Sequence, residues 1–275
     1  MTSVMKKLRN PNSERDKSRL PPQKLSGGSE SARQAREREI SFRTEDGWRV
    51  AGSLYIPPVQ TEVPAVLFVH GSRHESDAYG NLTAPGIPQT LSSWRIATLR
   101  IDIRGRGSSR EPRNFHSMAP AERARVELDV KAAIKFLVGQ QRVNARCIGI
   151  VAEQDSTTPA VLASAASSEV RGLILISGRL SEAAKKSISR LTAPILCMVS
   201  KEDRRGFRDM SEAFLLSRSD KSRLRVFEGL ALGTTMFSTW RNEFPNEPPI
   251  DELAGDWLAD VLLQNTTSVR RRKAR

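Results

Sequence analysis

The chain has 275 residues, 38% of them apolar and 27% charged, a size that one α/β domain with tails can fill. Its net charge of +13 sits mainly at the ends: residues 1–39 carry ten Lys/Arg against five Asp/Glu, and RRRKAR at 270–275 adds five more cations, so the body between is close to neutral. There is no run of about 18 apolar residues and no apolar stretch near the N-terminus, and each of the two cysteines lies inside an apolar run, which argues against a transmembrane segment, a secretory signal or a disulfide framework and leaves a cytoplasmic protein as the expectation.

Residues 1–38, rich in Ser, Pro, Arg and Lys, are expected to form a disordered basic N-terminal tail, because scattered apolar residues cannot offset the entropy of ordering. The folded domain is expected over 39–264 and a basic C-terminal tail over 265–275. EISFRTEDGWRVAGSLYIPP alternates apolar and polar residues around Asp46-Gly47 and predicts a hairpin. AVLFVHG (65–71) is a short continuous apolar run, as a strand covered on both faces requires, and RIATLRIDIRGRGSS (95–109) gives another that ends in a glycine-rich loop.

Val126, Val130, Ile134 and Leu137 recur at helical spacing within 121–140. Strand and helix then alternate: RCIGIVA, a helix over 156–166, VRGLILIS, a polar connection, APILCMVS, a helix over 208–216, LRVFEG, and a last helix over 251–263. Parallel neighbours need crossover connections, so this order predicts an α/β fold, a mainly parallel sheet with helices on both faces.

Three motifs, in order, give the chain its resemblance to the α/β-hydrolases, of the small sort similar to dienelactone hydrolases and esterases. They are LFVHGS (67–72), IDIRGRGSS (101–109) and the strand-turn-helix CIGIVAEQDSTTPAVLASAA (147–166). The resemblance covers about residues 39–264 and implies an α/β-hydrolase fold; the short connection at 179–192 leaves no room for a substantial lid domain. It also implies an oxyanion hole formed near Gly71 and Ser72 and by the residue after the nucleophile, here Asp155.

The family's elbow reads small-x-nucleophile-x-small, because the turn is too tight for large flanks. Ala152 and Ser156 keep the small positions, and Gln154 stands at the nucleophile position. A carboxamide is a poor nucleophile with no proton for a base to remove. The acid position falls on Asp203 in SKED, and the histidine position on Leu232 in GLALGTT. The three histidines, His70, His74 and His116, all precede the elbow, whereas the resemblance puts the catalytic one after the last strand.

The triad is therefore expected to be degenerate, and the chain to be a non-catalytic homologue whose cleft binds a small molecule or whose surface binds a protein partner. Two alternatives stand beside this. One is an active esterase or acyl hydrolase with an unconventional site drawn from Asp155, Ser156, Asp203 and His74. The other is an interaction protein whose basic tails contact nucleic acid or an anionic membrane. No motif points to a metal, nucleotide or flavin, so no cofactor is expected; the GRGSS loop lacks the Gly-Lys-Ser/Thr ending of a P-loop.

Overall fold

A computed structural model describes residues 37–73 and 86–273, with side chains through Gln264. The hairpin forms as β1 (Arg38–Arg43) and β2 (Arg49–Tyr55), joined by a turn in which the Gly47 N–H donates to the Thr44 carbonyl at 2.9 Å. Then come β3 (Val63–Val69), α1 (Gly86–Ser93), β4 (Ala97–Asp102), a short α2 (Pro120–Arg123) and α3 (Val126–Val138). The remaining elements are β5 (Val143–Glu153), α4 (Thr157–Ala165), β6 (Val170–Ile176), α5 (Glu182–Ile188), β7 (Ile195–Ser200), α6 (Arg204–Leu216), β8 (Arg223–Phe227), α7 (Thr235–Glu243) and α8 (Ile250–Lys273).

One eight-stranded sheet runs in the order β1-β2-β4-β3-β5-β6-β7-β8, antiparallel at its first two pairings and parallel from β4 onward. Side chains of the central strands alternate between two apolar layers. Ala65, Leu67 and Val69 of β3 face the layer completed by α3, α4 and α6, while Val66 and Phe68 face the layer completed by α1, α7 and α8. Burial on both faces is the reason these strands read as unbroken apolar runs.

Every strand expected from the sequence is present. The helices differ more. The α6 helix begins at Arg204 rather than 208, because the Asp203 carboxylate caps it by accepting from the Gly206 N–H at 3.0 Å. The polar connection at 179–192 contains α5, capped by Ser181, and nothing larger separates β6 from β7. The α8 backbone stays helical to Lys273, past the expected boundary at 264. Among the described residues, no helix is long and apolar enough to cross a membrane, and both cysteines are buried thiols outside any disulfide. Burial alone pushes the Cys197 thiol up to about 12.

Candidate functional site at the carboxyl edge of the sheet

At the carboxyl end of β5 the chain turns through residues 154–156 into α4, and Gln154 takes the left-handed region at φ +50°. That conformation costs an L-residue about 1–2 kcal/mol, and neighbours on both sides hold it in place. Ala152 behind the turn is fully buried, the Gln154 carbonyl accepts from the Arg179 N–H at 3.0 Å, and the buried Ser156 hydroxyl donates to the His70 carbonyl at 2.7 Å.

The Gln154 side chain lies between two glycines. A methyl group added at Gly71 would stand 3.1 Å from Gln154 Oε1; one added at Gly233, itself at φ +63°, would stand 2.7 Å from Nε2. The loops after β3 and β8 thus close on the carboxamide from opposite sides, and each needs glycine to come that near. Below it, the fully buried Glu153 carboxylate accepts from the Thr234 N–H at 2.7 Å, and the Gly233 N–H donates to the Ser177 hydroxyl at 2.9 Å. These bonds fix the loop after β8 against the ends of β5 and β6.

Gly71, Ser72 and Asp155, expected to line the cleft, do come together. The Ser72 N–H donates to Asp155 Oδ1 at 2.9 Å, so a loop donor that could meet a substrate oxygen is engaged by a carboxylate of the chain itself. Asp203 sits at the carboxyl end of β7 and is buried, but its partner is Arg179: Nη1 to Oδ2 at 3.0 Å and Nη2 to Oδ1 at 2.7 Å, a bidentate pair. Leu232 is exposed on the loop that carries Gly233. His74 lies outside the described residues.

His70 braces the loop. Its ring is fully buried, with Nδ1 2.9 Å from the Gly71 carbonyl and Nε2 accepting from the Ile103 N–H at 3.3 Å. The adjacent RGRGSS loop is held just as firmly. Asp102 accepts from the Ser108 N–H at 2.8 Å, and the buried Arg104 bridges Asp129 at 2.7 Å and Asp46 at 2.8 Å. Burial lifts the Asp129 carboxyl to about 6 against the pull of Arg104, while the same guanidinium holds the more exposed Asp46 well below the usual carboxylate range.

Arg179 and Ser177 are participants that the sequence reading did not single out. The one available signal was an arginine at one strand exit facing a carboxylate at the next. Among the described residues, no cluster of His, Cys, Asp and Glu could hold a metal.

No protein-family model and no curated protein sequence matches the chain. Solved structures do. A dienelactone hydrolase from Anabaena variabilis superposes with a TM-score of 0.61 at 20% identity, over 82% of this chain and 98% of that one. An esterase from Pyrococcus furiosus gives 0.63 at 12% identity, over 88% and 99%. An esterase domain of a Rhodothermus marinus protein gives 0.59 at 15%, over 82% and 99%. At these identities the likeness is one of architecture, and the architecture is clear: the chain has the α/β-hydrolase fold.

Proposed function

We propose that this protein uses the hydrolase fold without nucleophile-histidine-acid chemistry, and that its carboxyl-edge cleft binds a small molecule or a partner. The observation that carries the reading is Gln154. The turn keeps the strained geometry suited to presenting a nucleophile, yet it presents a carboxamide packed between Gly71 and Gly233. Two engaged groups lend further support: the Ser72 N–H is bound to Asp155, and the Asp203 carboxylate is bound to Arg179. Ser156, the alternative nucleophile, is buried and donates its proton to a backbone carbonyl. With Glu153 and Asp155 flanking the start of α4, the ligand is neutral or cationic rather than anionic.

Restoration tests this reading. Gln154→Ser with Leu232→His supplies the missing groups but leaves Asp203 and the Ser72 N–H engaged, so this variant is expected to hydrolyse short acyl esters no faster than buffer. Adding Arg179→Ala and Asp155→Ala is expected to raise turnover measurably. Equal activity in the double and quadruple variants would mean that the internal pairings block nothing.

A further inference from the structure

The opposite end of the sheet has a different character. Arg142 and Arg146 flank the start of β5, Arg171 is the second residue of β6, and Lys221 and Arg223 stand at the start of β8, with Arg218 just before them. All but the half-buried Arg171 are exposed. The polar partners shown for this group are neutral: Arg171 Nε donates to the Arg146 carbonyl at 3.0 Å, Arg223 donates to the carbonyls of Asp220 and Ser222, and Lys221 donates to Gln264.

Among the described residues, none of these six cations makes an ion pair with a carboxylate. The nearby acids are fewer and partly engaged, Glu169 with the Ser167 hydroxyl at 2.6 Å and Asp260 with Gln264 at 2.6 Å, leaving Glu62 and Asp220. Arg223 also depresses the pKa of Arg225 beside it, second to the effect of burial, as uncompensated like charges do.

The α8 helix runs from the carboxyl edge, where Asp251 accepts from the Gly86 N–H at 3.0 Å, to the amino edge, where the Leu262 carbonyl meets Cys147 of β5. Its backbone continues as a helix into the Arg270-Arg271-Arg272-Lys273 segment. Arg38, where residues 1–36 lead into β1, pairs in register with Leu54, which pairs with Leu99 early in β4.

We propose that this amino edge is a docking face for the phosphate backbone of duplex nucleic acid, built from the arginines of β5, β6 and β8. Five of the six edge cations are Arg, whose planar fork matches phosphate geometry. Residues 1–36 and 265–275 contain no aromatic residue, and the two tryptophans near this edge, Trp94 and Trp257, are half-buried against the core with their ring N–H groups bound to Asp256 and to the Lys221 carbonyl, a poor platform for stacking single-stranded bases. Residues 265–275 offer only Val269 and Ala274 as apolar groups, too little to insert into a bilayer. A rigid line of phosphates meets neither objection, and contact with it is sequence-independent.

The test is fluorescence anisotropy of the full chain with a labelled DNA duplex of about two helical turns, the same sequence as a single strand, and vesicles of phosphatidylcholine with phosphatidylserine, each over a salt series. The duplex is expected to bind at least as tightly as the single strand, more weakly as salt rises. The exposed-edge variant Arg142→Ala/Arg146→Ala/Arg223→Ala, with an unchanged urea midpoint, is expected to lower the slope of log K against log salt by about 3. Arg205→Ala at the carboxyl edge is the control and leaves binding unchanged. A triple variant that binds like the unaltered protein would overturn the proposal by assigning binding to the tails alone. Vesicle binding in preference to the duplex, or no duplex binding at about 0.1 M salt, would overturn it as well.

Discussion

Gln154 keeps a backbone conformation that glycine adopts freely and a β-branched residue resists. Gln154→Val is therefore expected to be less stable than Gln154→Gly by about 1–2 kcal/mol in urea denaturation; equal midpoints would mean that the turn relaxes when its side chain changes. The Arg179–Asp203 pair makes a second prediction. Arg179→Ala leaves a buried carboxylate with its capping bond but no countercharge, and is expected to cost about 2 kcal/mol, below the cost for a fully buried pair because Arg179 is partly exposed. Asp203→Asn in the same chain removes the orphaned charge while keeping a good cap, and is expected to recover part of the loss.

Asp129 supplies a pH dependence. Its folded-state pKa, raised by burial to about 6, lies above the unfolded value, so the folded state holds the proton more tightly and stability falls as pH rises from about 4 to about 6. Asp129→Asn is expected to flatten that fall, read as the urea midpoint across the window; an unchanged profile would place the proton elsewhere. At this scale the sequence pointed to Gln154, Asp203, Leu232 and the Gly71-Ser72-Asp155 group by position along the chain. Arg179 was not legible, because its partner lies across two strand exits and no local pattern joins them.

Among the elements, α8 is the clearest case of packing dictating composition. It lies against Gly149 of β5 and Gly172 of β6; a methyl group at Gly172 would stand 2.9 Å from Val261 Cγ1 and 3.0 Å from Leu258 Cδ1. Gly172→Ala is expected to destabilise by about 1–3 kcal/mol through this overpacking, measured by thermal or urea unfolding. The strands were readable because burial on both faces makes them continuous apolar runs, and α3 because its apolar stripe spans three turns. The α5 helix escaped notice because it buries only Ala184 and Ile188, too few positions to set a period. The end of α8 was placed early for a related reason: after Gln264 the sequence NTTSVRRRK carries no apolar repeat, although the backbone continues helical.

For the whole molecule, the order of strand, motif and helix sufficed for the α/β-hydrolase fold, and structures only 12–20% identical share it. Activity does not travel with architecture, since the same scaffold hosts many functions. In the function proposed above, what the carboxyl edge does rests on a few side chains and their mutual engagement: Gln154 between two glycines, Asp155 on Ser72 and Asp203 on Arg179. The most direct test of that account is the hydrolysis of short and medium acyl esters by stringently purified protein, run beside Gln154→Ala, Ser156→Ala and His74→Ala variants. The account predicts the buffer rate from all four proteins. Turnover by the unaltered chain that any one of these substitutions abolishes would contradict it, and the substitution responsible would identify a group at work in catalysis.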